Sequence, residues 1–162
     1  MCSSDLVDRA LFVDRVLAPD VTLDAYAGGA FASIVCWSRH TFEASLEHSA
    51  DAVEVVLRPG AAPAGGLLEK RIRLHKGGEL SVRYRWDPAA FPADAFFCPE
   101  VSLAREAELE LAPAGEVWRF PVATVSRSER GFEETVQGYS YTPRWPILAG
   151  EGRLTMRVRP SA

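Results

Sequence analysis

The sequence is poor in the residues that build most catalytic and metal centres. Its 162 residues include three Cys and three His. Cys2, Cys36 and Cys98 are an odd number with no close pair, which excludes a disulfide framework and a Cys-x-x-Cys metal knuckle. A reducing, cytoplasmic setting is therefore expected. His40, His48 and His75 show neither His-x-His nor His-Glu-x-x-His spacing, so no metal site and no cofactor are expected. No apolar run approaches the ~20 residues a helix needs to cross a bilayer. The start has no basic and apolar leader of the secretory kind. Net charge is −4, without the basic stripe of a nucleic-acid binder. Neither membrane nor nucleic acid is an expected partner.

What is present fits one soluble domain with a substantial core: 48% hydrophobic and 25% charged residues. From Val7 to Leu17, apolar residues at 7, 10, 11, 13, 16 and 17 have helical spacing. They predict a short helix or an irregular connector, stopped by Pro19. Thr22 to Tyr26 reads as one helical turn before Gly28-Gly29. From Phe31 onward the period is two. Phe42, Ala44, Leu46 and His48 alternate with Glu43, Ser45 and Glu47. Val53, Val55 and Leu57 alternate with Glu54, Val56 and Arg58. Leu68, Ile72 and Leu74 oppose Glu69, Arg71 and Arg73. Leu80, Val82, Tyr84 and Trp86 oppose Ser81, Arg83 and Arg85. Lys76-Gly77-Gly78-Glu79 is a hairpin turn. Further strands are read at 95–103, 106–111, 117–125, 133–141 and 153–159. About ten short strands at near-regular spacing mark an all-β antiparallel sandwich or barrel.

Several side chains stand out chemically. Arg71, Arg73, Arg83 and Arg85 share one outward face, so they need interleaved acids or an anionic or polar partner. Glu69, Glu100, Glu108 and Glu110 are the candidate acids. Lys70 falls on the apolar side of its strand. It either snorkels or pairs with an inward acid, Glu100 or Glu129. His48 reads as a core or strand-end histidine. Glu133 and Glu134 are neighbours on a strand and point to opposite faces, so they form no glycosidase dyad. Ser126 and Ser128 have no adjacent His, so a catalytic triad is unsupported. Trp86 belongs to the core. Trp118 and Trp145 lie beside Pro-containing bends, where exposure and stacking on a sugar are alternatives to core packing.

The stretch from Trp118 to Trp145 is the most distinctive. Trp118-x-Phe120-Pro121 is followed by Thr124-x-Ser126-x-Ser128-Glu129-x-Gly131-Phe132, then by Gln137-Gly138 and Tyr141-Thr142-Pro143-Arg144-Trp145-Pro146. This order resembles the C-terminal domain of family 57 glycoside hydrolases, which include 4-alpha-glucanotransferases and alpha-amylases. Leu68-Glu69-Lys70 is similar to the family's Glu-Lys step. Arg9 to Asp14 is similar to its entry into the domain, although Arg15-Val16 stands where the family has His-Phe. Phe97-Cys98-Pro99-Glu100 is similar to its acidic strand, with Ser102 in place of an Asn. The resemblance covers nearly all of residues 9–159.

The resemblance implies a galactose-mutarotase-like β-sandwich (a supersandwich) behind a barrel that carries the catalytic nucleophile and acid. No catalytic residue maps onto this chain. The implied partners are the catalytic barrel of the same parent chain and an alpha-glucan such as maltodextrin, starch or glycogen. The implied carbohydrate-binding or cleft-facing residues are Trp118, Ser126, Ser128, Glu129, Gln137 and Trp145. Cys2-Ser3-Ser4-Asp5-Leu6 matches the translated end of a sequencing adapter and also reads as a helix N-cap. Residues 1–6 are expected to be a non-native leader, residues 7–160 one sandwich domain, and the barrel missing. An isolated sandwich should then expose an apolar patch. Two other readings stay open: a stand-alone carbohydrate-binding module, and a mutarotase- or lyase-like enzyme using Glu100 and a His.

Overall fold

The computed structural model describes residues 11–38, 40–60, 68–128 and 131–158, with the backbone alone for 125–128, 131–134 and 158. The described chain runs β1 (Leu11–Leu17), α1 (Leu23–Ala27), β2 (Ser33–Cys36), β3 (Phe42–His48), β4 (Ala52–Pro59), β5 (Leu68–His75), β6 (Leu80–Trp86), β7 (Phe96–Leu103), β8 (Ala107–Ala112), β9 (Glu116–Ser128), β10 (Gly131–Pro146) and β11 (Glu151–Val158). The strands form two sheets. One has the order β2-β1-β7-β10-β9, the other β3-β4-β5-β6-β11-β8. This is the expected all-β antiparallel sandwich.

The central strands follow the alternation of their sequences. On β6, Val82, Tyr84 and Trp86 are buried, while Arg83 and Arg85 are exposed. The turn to β6 uses Gly78 at φ 79°, a conformation that costs glycine little. The core between the sheets is aromatic. Phe97 stacks on Trp145 with rings 10° from parallel, and on Trp86 at 4.4 Å between centroids. Gly152 lets the Trp145 ring lie against β11, since a Cβ there would sit 2.7 Å from the ring.

The helix expected over Val7–Leu17 is corrected. The described part, Leu11–Leu17, is a strand. It lies between β2 and β7 inside the five-stranded sheet. Val13, Asp14, Arg15, Val16 and Leu17 are all buried. A strand covered on both faces has no reason to alternate, and its apolar spacing then imitates a helix. One face meets the main core through Val16. The other is covered by α1, whose Tyr26 packs with Leu17, Cys98 and Trp118 in a second apolar cluster. α1 is the expected short turn of helix, and Thr22 caps it by accepting from the Ala25 N–H at 3.2 Å.

Lys70 does not snorkel. It is 5% exposed, and its described partner is Asp14 rather than Glu100, while Glu129 lies outside the described residues. Its ammonium donates to Asp14 Oδ2 at 2.6 Å and to the Phe12 carbonyl at 3.3 Å, tying β5 to β1 across the interior. The Phe12 and Phe42 rings each lie 5.6 Å from the nitrogen, near enough for cation–π attraction. Phe12 adopts φ 66°, a costly conformation for a bulky residue, in the bulge where β1 shifts register. Burial holds the Asp14 carboxyl above its ordinary pKa, and the nearby Lys70 charge offsets only part of that.

The β3–β4 edge departs from its alternation. Val56 is buried at 1%, whereas Val53, Leu46 and Leu74 are 38%, 58% and 53% exposed. Leu46 opposes Val55 on β4, and Val53 opposes Leu74 on β5. Phe42 and Ile72 still pack on the core. Leu46, Val53 and Leu74 continue that inner face outward and, among the described residues, stay open.

Candidate functional site

Three features compete as functional surfaces: the β9–β10 hairpin, the polar cluster around Glu100, and the outer face of the six-stranded sheet. The hairpin carries the residues singled out in the sequence. β9 and β10 pair continuously from Glu116↔Arg144 to Ser128↔Gly131. β10 pairs with β7 only from Tyr139 to Pro146. Beyond Gly138 the two strands, among the described residues, therefore pair only with each other, as a ribbon. Ser126–Gly131 is a polar run at the tip of this hairpin. The strands extend to Ser128 and resume at Gly131.

The ribbon starts at a bulge. Val136 opposes Ala123 and Gly138 opposes Val122, leaving Gln137 as the extra residue. Gln137 is exposed, and its amide donates to Thr124 Oγ1 at 3.2 Å. Gly138 is required by packing, since a Cβ there would lie 2.3 Å from the Leu103 carbonyl oxygen. The Gln137-Gly138 pair is thus explained by geometry.

Among the expected site residues, the two tryptophans are interior. Trp118 and Trp145 are 4% and 0% exposed, so the exposure considered for both is not found. Trp118 donates to Glu116 Oε1 at 3.0 Å and lies under the Arg144 guanidinium at 4.3 Å. Trp145 donates to the Pro113 carbonyl at 2.9 Å. Neither indole turns a free face to solvent. Ser126 opposes Glu133 and Ser128 opposes Gly131 along the ribbon backbone. Glu129 lies outside the described residues.

Glu100 is wholly buried. Its Oε2 accepts from Arg15 Nη1 at 2.8 Å and from the Tyr26 hydroxyl at 2.6 Å. Its Oε1 accepts from Ser102 at 3.2 Å and Ser140 at 3.0 Å. Arg15 also donates to the Tyr26 hydroxyl at 2.9 Å. Burial, followed by the Glu100 charge, raises the pKa of the Tyr26 phenol. A carboxylate holding these donors is a structural knot, pinning α1 to β1, β7 and β10. Its members come from distant positions. The sequence signal for them was an Asp14-Arg15 pair inside an apolar run. His48 and His75 end β3 and β5 in the other sheet, so they do not meet Glu100. Among the described residues no group of three or more His, Cys, Asp or Glu is placed to hold a metal ion. No described helix is long and apolar enough to cross a membrane.

The outer face of the six-stranded sheet forms a groove of about 640 Å3. Glu54, Glu69, Arg71, Arg73, Arg83, Arg85, Glu151 and Arg153 contribute its charges. Of the expected acids only Glu69 takes part. It accepts from Arg58 and from Arg71, both at 2.8 Å. Its carboxyl is held below the ordinary carboxylate range, chiefly by the Arg71 hydrogen bond. Glu54 and Glu151, which were not foreseen, pair with Arg71 at 3.2 Å and Arg83 at 2.9 Å. Glu100 lies in the other sheet, and Glu108 and Glu110 oppose Arg157 and Thr155 on β11.

With this geometry in view, the similarity of the chain to known proteins is informative. A family described as Alpha-amylase/4-alpha-glucanotransferase, C-terminal, matches residues 2–107 and 93–158. A 4-alpha-glucanotransferase of Thermococcus kodakarensis is 28% identical over 172 residues, covering 93% of this chain and 25% of the relative. One from Thermococcus litoralis is 34% identical over 96 residues, covering 57% of this chain and 14% of the relative. The crystal structure of 4-alpha-glucanotransferase from Thermococcus litoralis superposes with TM-score 0.69 at 26% identity, over 93% of this chain and 28% of that one. The chain thus spans about a quarter of the length of its full-coverage relative.

Proposed function

Because this chain belongs to the family of C-terminal domains of alpha-amylases and 4-alpha-glucanotransferases, we propose that it is the non-catalytic sandwich of an alpha-glucan-processing enzyme. It packs on the catalytic barrel of a longer chain of the family 57 type, and its long hairpin helps shape the cleft that takes maltodextrin, starch or glycogen. The observation that carries this reading is the ribbon beyond Gly138, whose strands, among the described residues, pair only with each other. A two-stranded ribbon alone in water is marginal, so this one calls for a surface to rest on. The motif residues Ser126 and Ser128 lie at its far end, where the motif is polar enough to meet a sugar-filled cleft. The open row of Leu46, Val53 and Leu74 supplies apolar area of the kind that interfaces use.

The geometry of Glu100 and Glu69 weighs against a catalytic role for either. A glycosidase of the usual kind needs one carboxyl held protonated as general acid. Glu100 is sealed in the interior among four donors. Glu69 is shifted the opposite way, towards the ionised form. The buried indoles of Trp118 and Trp145 also weigh against a stand-alone carbohydrate-binding module.

The test joins this chain to its catalytic region. Replacing Glu129 with Gln, and separately replacing residues 126–131 with a two-residue turn, is expected to lower glucan transfer without lowering the melting temperature of the sandwich. By itself the chain is expected to migrate unretarded through an amylose-containing native gel. Retardation on amylose with unchanged transfer by both variants would overturn the reading in favour of a binding module. Complete loss of turnover in Glu129→Gln with intact folding would make Glu129 catalytic.

A further inference from the structure

On the outer face of the six-stranded sheet the charges fall into registered rows. One row alternates in sign. Glu43 opposes Arg58, Arg58 bonds to Glu69, Glu69 opposes Arg85, and Arg85 opposes Glu151. The adjacent row does not alternate. Arg71 opposes Arg83, and Arg83 opposes Arg153. Three arginines stand abreast on β5, β6 and β11, whose backbones run ~4.8 Å apart. Like charges directly opposite one another cost stability. A third row places Glu54 opposite Arg73 and Arg73 opposite Ser81.

The carboxylates of the groove do not balance this charge. Five guanidinium groups and three carboxylates line it. Arg71 takes both Glu54 and Glu69, Glu69 is shared with Arg58, and Glu151 pairs with Arg83. Among the described residues Arg73, Arg85 and Arg153 have no ion pair. The Arg73 Nε is removed from solvent and lacks a hydrogen-bond partner there. The space, about 640 Å3, is of small-ligand size, within the ~300–1,000 Å3 usual for such sites.

We propose that this groove binds a phosphate monoester carried on a sugar or glucan. A phosphate monoester brings ~1.5–2 negative charges and three acceptor oxygens near neutral pH. Guanidinium forks meet such oxygens bidentately. A carboxylate brings one charge and leaves the arginine row largely uncompensated. The phosphate part of the proposal stands on the groove alone. The sugar part rests on the functional reading above. The site lies on the opposite face of the sheet from the open aliphatic row, so docking through that row leaves the groove free.

The test is calorimetric titration of the chain with inorganic phosphate, glucose 6-phosphate and unphosphorylated maltoheptaose, read alongside arginine Nε–Hε resonances. Phosphate and glucose 6-phosphate are expected to bind, the sugar phosphate more tightly, with shifts at Arg73, Arg85 and Arg153. Affinity is expected to rise as pH passes the second phosphate pKa of ~6. Arg153→Gln should weaken binding about tenfold, the loss of one charge-assisted contact of ~1.4 kcal/mol. Arg157→Gln, outside the groove, should leave binding unchanged. Phosphate should raise the melting temperature of the wild type more than that of Arg153→Gln, which reports on the site even if the variant's folding is altered. No binding at millimolar phosphate, or equal weakening by Arg153→Gln and Arg157→Gln, overturns the site. Glucose 6-phosphate binding no tighter than inorganic phosphate overturns the sugar class. Failure of the hairpin variants to alter glucan transfer would sink the functional reading and leave the phosphate result standing.

Discussion

Replacing Lys70 with Met is expected to be among the most damaging single changes that leave the shape of the core intact. Met fills much of the lysine stem's volume but removes the ammonium that contacts Asp14 at 2.6 Å. Asp14, 2% exposed, would be left as a buried carboxylate without its ion-pair partner. Removing one member of a buried pair costs ~3–5 kcal/mol. With ~2.1 cal/mol/K of unfolding entropy per residue, a chain of this length melts ~9–15 °C lower for that loss. Differential scanning calorimetry at pH 7.5 measures it directly. The pH dependence has a definite sign. Burial already raises the folded-state pKa of Asp14 above its unfolded value, and without Lys70 only the weaker attraction of the Arg15 charge opposes that effect. A carboxyl with a raised folded pKa favours the folded state at low pH, and this advantage fades as pH rises through the folded value. The deficit of Lys70→Met should therefore be smaller at pH 4.5 than at pH 7.5. The double variant Asp14→Leu with Lys70→Met should recover most of the loss, because apolar replacement of both partners is close to neutral. A Lys70→Met protein melting within about 2 °C of the wild type, less than the smallest drop worked out above, would refute the argument. So would a double variant as unstable as the sum of its singles.

Two further outcomes follow from local geometry. Gly138→Ala places a Cβ 2.3 Å from the Leu103 carbonyl, and should cost ~1–3 kcal/mol in urea unfolding as an overpacked site; Gly77→Ala, with nothing within 4 Å, should cost much less. The Cys98 thiol is wholly buried and is pushed up to about 12, chiefly by burial; it should resist alkylation at pH 8 until the chain unfolds, whereas partly exposed Cys36 should react in the native protein. Peptide mass spectrometry after timed alkylation distinguishes the two cysteines, and early labelling of Cys98 would count against the packing described for it.

How far the sequence spoke for itself depended on whether a strand had one wet face. β6 and β11 do, and Val82, Tyr84, Leu154 and Met156 lie where their alternation puts them. β1 has no wet face, so its residues carried no period to read. On β4 the sheet's inner face runs past the core, so Val53 is open while Val56, beneath the arginine side chains, is closed. Lys70 was conspicuous in the sequence because it interrupts an apolar face, but its partner lies 56 residues away. Spacing carries no information about that meeting. Glu100 was equally opaque, its donors being gathered from four separate positions. The motif from Trp118 to Trp145 marked the family, yet its most legible residues, the tryptophans, proved to be interior. The groove was half visible: alternation aligned the arginines, but register alone set Arg71, Arg83 and Arg153 abreast.

The position of β11 has a consequence for synthesis. This strand sits between β6 and β8, so the six-stranded sheet stays in two pieces until residues 151–158 emerge from the ribosome. At ~5–20 residues per second, the interval between the end of β6 and the end of β11 is ~4–14 s. Throughout it, one edge of β6 has unmet backbone donors and acceptors, and Val82, Tyr84 and Trp86 lack the neighbours that Leu154 and Met156 later provide. The nascent chain thus presents a sticky, aromatic strand edge for seconds in every round of translation, a natural point of capture for a chaperone.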